Sequence, residues 1–90
     1  MQLYFVYVLK SFKDGMFYTG FTSNLKKRIL EHNTGEVKST INRRPLKLIY
    51  FEASLNKKDA LHRESYLKTT YGKRYIKNRL KNYLIIENIS

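Results

Sequence analysis

The sequence contains no cysteine. Disulfides and thiolate zinc sites are therefore excluded as sources of stability, and the composition fits a reducing compartment. Glycine is sparse, at Gly15, Gly20, Gly35 and Gly72, scattered as turn residues rather than gathered into a phosphate-cradling loop. The two histidines, His32 and His62, stand 30 positions apart with no thiol to join them, and make no zinc pattern. No Ser-His-Asp or Cys-His arrangement can be assembled either. The apolar run from Leu3 to Leu9 is too short for a bilayer, and no basic segment precedes it. It reads as a strand rather than a membrane span or signal peptide, and the chain is expected to be soluble and cytoplasmic.

Acids are the other scarcity. Seven Asp and Glu stand against eighteen Lys and Arg, which gives a formal net charge of +11 on 90 residues and a pI near 10.0. Such a surface concentrates polyanions and releases counterions on binding them, which favours nucleic acid as partner over an anionic membrane. What is present in quantity is apolar and aromatic. A hydrophobic fraction of 42% with thirteen Phe and Tyr residues supplies one small core, near the lower size limit for a domain without staples.

Residues 2–10, "QLYFVYVLK", read as a buried strand. "SFKDG" is a turn and "MFYTG" a second strand ending at Gly20, so the two make a hairpin. "TSNLKKRILEHNTG" has helix punctuation at both ends, with Thr22, Ser23 or Asn24 as cap, Gly35 as terminator, and Leu25, Ile29 and His32 on one stripe. The polar segment 36–45 is a loop closed by Pro45, and 46–52 is a third strand. A helix capped by Asn56 covers about 57–69, Gly72 interrupts, and a last helix runs from about 73 to 83. The expected fold is α+β: a small antiparallel three-stranded sheet flanked by helices, in ββαβαα order. Residues 1–84 form one domain in this reading, and 85–90 a C-terminal tail.

Three positions invite a chemical reading beside a bland one. Glu64 shares a helical stripe with Ala60 and Leu67, where a carboxylate is costly unless it is paired or holds a metal; a surface pair with Lys68 is the alternative. Arg28 and His32 are one turn apart, able to hold a phosphate oxygen and to accept a proton, or simply solvated and half-buried. Tyr7 and Tyr18, by alternation alone, are packing residues.

Taken together, "FVY" (5–7), "YTG" (18–20), Arg28, His32 and Glu64 resemble the motif series of the GIY-YIG nuclease superfamily, on strand, strand, helix and helix. The resemblance runs from residue 3 to about 83 and is similar in particular to the small free-standing bacterial members. Phe5 replaces the first glycine of the motif, and Phe21 stands where some members carry a lysine. The resemblance implies a divalent-metal-dependent endonuclease acting on nucleic acid, with DNA the expected form; a non-catalytic nucleic-acid-binding module on the same fold is the alternative. It implies one divalent cation, Mg²⁺ or Mn²⁺, held by Glu64, and an Arg28 that stabilises phosphoryl charge. Tyr7, Tyr18 and His32 would position and deprotonate the attacking water, with the base open among the three, and Gly20 would clear space. Lys38, Arg43, Arg44 and Lys47, with no acid between them, and Lys73 and Arg74 in the helical half, are the expected backbone contacts. Target selection is expected to come from this domain or from a protein partner.

Overall fold

The computed structural model describes residues 1–89. The long apolar run becomes β1 (Tyr4–Ser11), the middle strand of the order β2-β1-β3, with β2 (Phe17–Thr22) and β3 (Leu46–Ser54) both antiparallel to it. A central strand covered on both faces needs apolar side chains on both, and β1 supplies them in alternation. Val6 and Val8 pack with Ala60 and Leu67 of α2 (Lys57–Leu67) and Ile76 of α3 (Thr70–Arg79). Tyr7 and Leu9 point the other way, toward Tyr18, Leu46, Leu48 and the Leu25 and Ile29 stripe of α1 (Leu25–Asn33). The molecule is thus three layers: α1, the sheet, and the α2–α3 pair. Each fully buried side chain of this kind contributes roughly 1.5–3 kcal/mol.

The α+β class and the three-stranded sheet are those expected, and the caps settle on single residues. Asn24 Oδ1 accepts from Lys27 N (3.2 Å) and Asn56 Oδ1 from Lys58 N (2.8 Å), and Gly35 follows α1 at φ +83°. The helical half departs from expectation. In place of one helix over 73–83, α3 ends at Arg79 with Leu80 as its cap and a separate α4 (Lys81–Ile89) follows, continuing through the stretch read as a tail from 85; Ser90 of that tail lies outside the described residues. The break falls where Leu80 leaves helical geometry and packs against the α2–α3 core. A contact from the far end of the chain secures α4: Lys10 of β1 pairs with Glu87 at 2.5 Å, and Tyr83 also donates to Glu87. No local pattern reveals a partner 77 residues away.

Gly72 does not interrupt a helix; it lies in the first turn of α3, and its N–H donates to the Thr69 cap (3.1 Å). A Cβ built there would overlap Tyr66 O and Leu67 Cα, so the glycine lets α3 start against the end of α2. Overpacking typically costs 1–3 kcal/mol, and backbone atoms cannot rotate away. Even after the ~1 kcal/mol that alanine gains in a helix, Gly72→Ala should destabilise the fold by up to about 2 kcal/mol. Urea unfolding should show a lower midpoint at unchanged slope. An unchanged midpoint would mean that α3 can slide off α2 at no cost.

Candidate active site

The register of β1 places Tyr7 opposite Gly20 of β2 and Phe51 of β3. A Cβ at Gly20 would overlap Tyr7 Oη and Cζ, so the phenol lies directly across β2 over the glycine. Tyr18, two residues before Gly20 and on the same face, brings its ring to 6.5 Å from that of Tyr7. His32, from the last turn of α1, meets both rings edge-on at 5.6 and 5.1 Å. The stripe of α1 that carries Leu25 and Ile29 into the sheet therefore carries the imidazole in as well.

His32 is completely buried, not half-buried as its stripe position suggested. Both ring nitrogens are engaged: Nε2 with Tyr7 Oη at 2.7 Å, and Nδ1 with Thr40 Oγ1 at 2.8 Å. Burial, reinforced by the charge of Arg28, pushes its pKa down to about 4, so the ring is neutral at neutral pH. Tyr7 is 1% exposed, and burial pushes its phenol up to about 12 against an opposing pull from Arg28. Arg28 faces that phenol, pairs with Glu31 at 3.1 Å, and keeps 37% of its side chain in solvent. Tyr18 is the half-exposed phenol of the two, with Ser39 Oγ at 3.5 Å.

Glu64 comes from α2, on the opposite face of the sheet, where that helix packs across β1 and the edge strand β2. Its charge is felt at Tyr7, adding to the upward shift of the phenol. It also makes the surface pair that its spacing allowed, with Lys68 Nζ at 3.2 Å, and its side chain is 18% exposed. Among the described residues no cluster of three or more His, Cys, Asp or Glu could hold a metal ion. A single carboxylate is nevertheless a donor set suited to Mg²⁺, which keeps most of its waters and takes substrate phosphate oxygens as further ligands.

The six expected backbone contacts separate. Lys73, with Lys68, Tyr18 and Thr19, lines a cleft of about 210 Å³ between β2 and the α2–α3 pair. Lys38 is exposed in the loop next to Ser39. The others are turned to different uses. Arg43 Nε donates to Asp14 Oδ2 (2.8 Å), tying the loop to the hairpin turn. Arg44 Nε donates to Ile41 O (2.9 Å). Lys47 lies over the Tyr83 ring and Arg74 over that of Tyr71. Sequence reasoning passed over Thr40, a polar residue in a polar loop, and no spacing rule connects it to His32. Lys77 was likewise passed over: it lines a neighbouring cavity of about 510 Å³ with Lys10 and Leu84, and that cavity shares Phe17 and Lys73 with the cleft.

Comparison with known proteins shows the family. The model of the GIY-YIG catalytic domain matches residues 3–82. A UPF0213 protein of Clostridium perfringens is 52% identical over 65 residues, covering 71% of this chain and 69% of that one. Another, of Staphylococcus saprophyticus, is 43% identical over 70 residues, covering 77% and 84%. The solution NMR structure of a UPF0213 protein from Bacillus halodurans superposes with a TM-score of 0.53 at 32% identity, covering 82% of this chain and 81% of that one. With that match running over nearly the whole chain, the chain is a member of the GIY-YIG catalytic domain family.

Proposed function

We propose that this protein is a divalent-metal-dependent endonuclease that hydrolyses phosphodiester bonds in nucleic acid, with DNA as substrate. The observation that carries the reading is the Tyr7–His32 hydrogen bond at 2.7 Å, with a solvent-reaching guanidinium at one end and a carboxylate in range of its field. A phenol, a neutral imidazole, an arginine and one carboxylate have no use as a set in packing. For in-line attack on a phosphodiester they supply a proton path, a charge clamp and a cation ligand.

Arg28 binds a non-bridging phosphate oxygen and stabilises the charge that builds in the transition state. Glu64 would hold the cation, which when bound supplies Lewis-acid charge at the phosphate. Tyr18, which lines the cleft, orients the attacking water. That water gives its proton to Tyr7 Oη as the phenol passes its own to His32 Nε2. His32 has Nε2 engaged by Tyr7 and Nδ1 by Thr40, so the proton reaches it through the phenol. In the free protein burial raises the phenol and lowers the imidazole, so both groups rest neutral. The charge separation is therefore not stored at rest. It is reached only when a phosphate anion sits against the pair, raising the imidazole.

The cleft beside Tyr18 and the adjoining cavity share Phe17 and Lys73, so a chain whose phosphate sits at Tyr18 continues past Lys73 toward Lys77. These two lysines are one helical turn apart on α3, about 6 Å along its axis. The decisive experiment is a panel of end-labelled DNA and RNA substrates, single-stranded, duplex and branched, incubated with Mg²⁺, Mn²⁺ or EDTA. Internal cleavage with either cation, abolished by EDTA, is the expected result. Binding without cleavage across the panel would overturn the enzyme reading and leave a binding module.

A further inference from the structure

The outward stripe of α3 is not what a solvent-facing helix ordinarily carries. Tyr71, Arg74 and Tyr75 stand at i, i+3 and i+4, with large rings where polar side chains are expected. Tyr71 is 70% exposed and Tyr75 38%, and Tyr66, near the end of α2, is 39% exposed. Two arginines join these rings into one strip. Arg74 lies over the Tyr71 ring at 5.8 Å, and Arg63 of α2 lies over both Tyr75 (4.9 Å) and Tyr66 (5.2 Å). Arg63 is held from the sheet: its Nε donates to Glu52 Oε1 at 2.7 Å, and Tyr50 donates to the other oxygen of that carboxylate at 2.8 Å. The strip Arg74, Tyr71, Tyr75, Arg63, Tyr66 is therefore built before any ligand arrives.

The strip is separate from the cleft. Lys73 lines the cleft and is two residues from both Tyr71 and Tyr75, which on a helix puts it about 200° round the axis from either. The surroundings are basic: residues 57–82 carry nine Lys or Arg against Asp59 and Glu64, and Glu52 has both carboxylate oxygens engaged. Exposed rings on a cationic surface suit a ligand that offers flat faces and anionic groups together. A duplex hides its base faces and presents phosphates, whereas a single strand presents both, bases to the rings and phosphates to the guanidinium groups. An acidic protein surface would use the arginines and leave the rings unmatched. We propose that this strip is a second nucleic-acid contact, a stacking ledge that binds single-stranded DNA outside the cleft. The choice of DNA over RNA rests on the nuclease reading; the stacking rests on the rings alone.

The chain has no tryptophan, so Tyr71→Trp places a single indole fluorophore in the ledge. The test titrates end-labelled oligo-dT into the full chain, in EDTA and across a salt series, and follows anisotropy of the label and emission of the indole. Tyr71→Trp should bind like wild type, and its emission should be quenched as a base stacks on it. Tyr71→Ala should lose roughly fivefold to a hundredfold in affinity, with the salt slope unchanged because no charge is removed. Arg74→Ala should instead lower that slope by about 0.7. The same strand annealed to oligo-dA should leave the indole unquenched and bind Tyr71→Ala as tightly as wild type. Wild-type affinity of Tyr71→Ala for oligo-dT, or an indole unquenched at saturation, overturns the ledge. So does a Tyr71→Ala effect confined to the sedimentation of the free protein, which would mark a face between copies of this chain. Oligo-rU bound more tightly than oligo-dT overturns the choice of DNA. These readouts need no cleavage, so failure here and failure of the nuclease reading are told apart.

Discussion

Glu64→Gln should lose divalent-dependent cleavage by more than a hundredfold while folding normally. The loss is large because the carboxylate has no deputy: no cluster of three or more metal-ligating side chains exists among the described residues. Mg²⁺ needs an anionic oxygen, and the neutral amide of glutamine leaves it to substrate phosphates and water alone. Removing a single electrostatic donor elsewhere costs 10²–10³ in rate, and loss of the one carboxylate proposed to hold the ion belongs at or beyond that range. The fold should barely respond. The Lys68–Glu64 pair is an i,i+4 surface contact with Lys68 more than half exposed, and such pairs contribute about 0.3–0.5 kcal/mol. Initial rates across a Mg²⁺ titration, with a urea curve for each protein, give both answers. Wild-type rates in Glu64→Gln would remove the metal from this site.

Tyr7→Phe should be comparably severe in rate and should also cost stability. The ring stays in its core with Leu9 and Leu46, but His32 Nε2 loses its partner inside the protein, a cost of about 1–3 kcal/mol. General acid–base groups typically contribute 10²–10⁴ in rate. Tyr18→Phe makes the useful contrast, because the Tyr18 hydroxyl has only a long contact with Ser39, so its loss should leave stability nearly unchanged. The pH profile sharpens the assignment. His32 is held at about 4, so Nε2 stays available until the pH falls that far, and the acid limb of kcat/KM should not appear at the ordinary histidine value of 6.5. Stability runs in the same direction. The unfolded chain takes up a proton at His32 below about 6.5 and the folded chain does not until about 4. The fold therefore loses stability as the pH drops through that window. An acid limb at 6.5, or Tyr7→Phe active at wild-type rate, would remove His32 and Tyr7 from the proton path.

The parts of this protein that could be read from the chain are those written in local pattern. The apolar run of β1 read as a buried strand, and the Asn56 cap is a one-residue signal, while the cap of α1 lay among Thr22, Ser23 and Asn24. The set Tyr7, Tyr18, Arg28, His32 and Glu64 was singled out by its resemblance to the family's motif series. What could not be read depends on contacts with no periodicity. Thr40 meets His32 because a loop folds back. Arg43 is drawn to Asp14, 29 residues away, and so is a clasp on the hairpin before it is a phosphate ligand. The Leu80 break and the docking of α4 follow from packing and from Lys10 at the other end of the chain. Gly72 looked like punctuation because a glycine that makes room for a neighbouring helix is, in sequence, identical to one that ends its own.

The same ambiguity at Gly20 has a consequence for how such chains are recognised. Its backbone is not in the left-handed region, so β2 itself would accept an alanine there. The demand for glycine comes from the Tyr7 ring, on another strand. Positions 7 and 20 therefore carry one constraint between them, and a search that scores the tyrosine and the glycine as independent matches counts the same fact twice. In a relative with a small residue at the first position, a larger one at the second is no sign of lost descent, since the occupant that forbade it has gone.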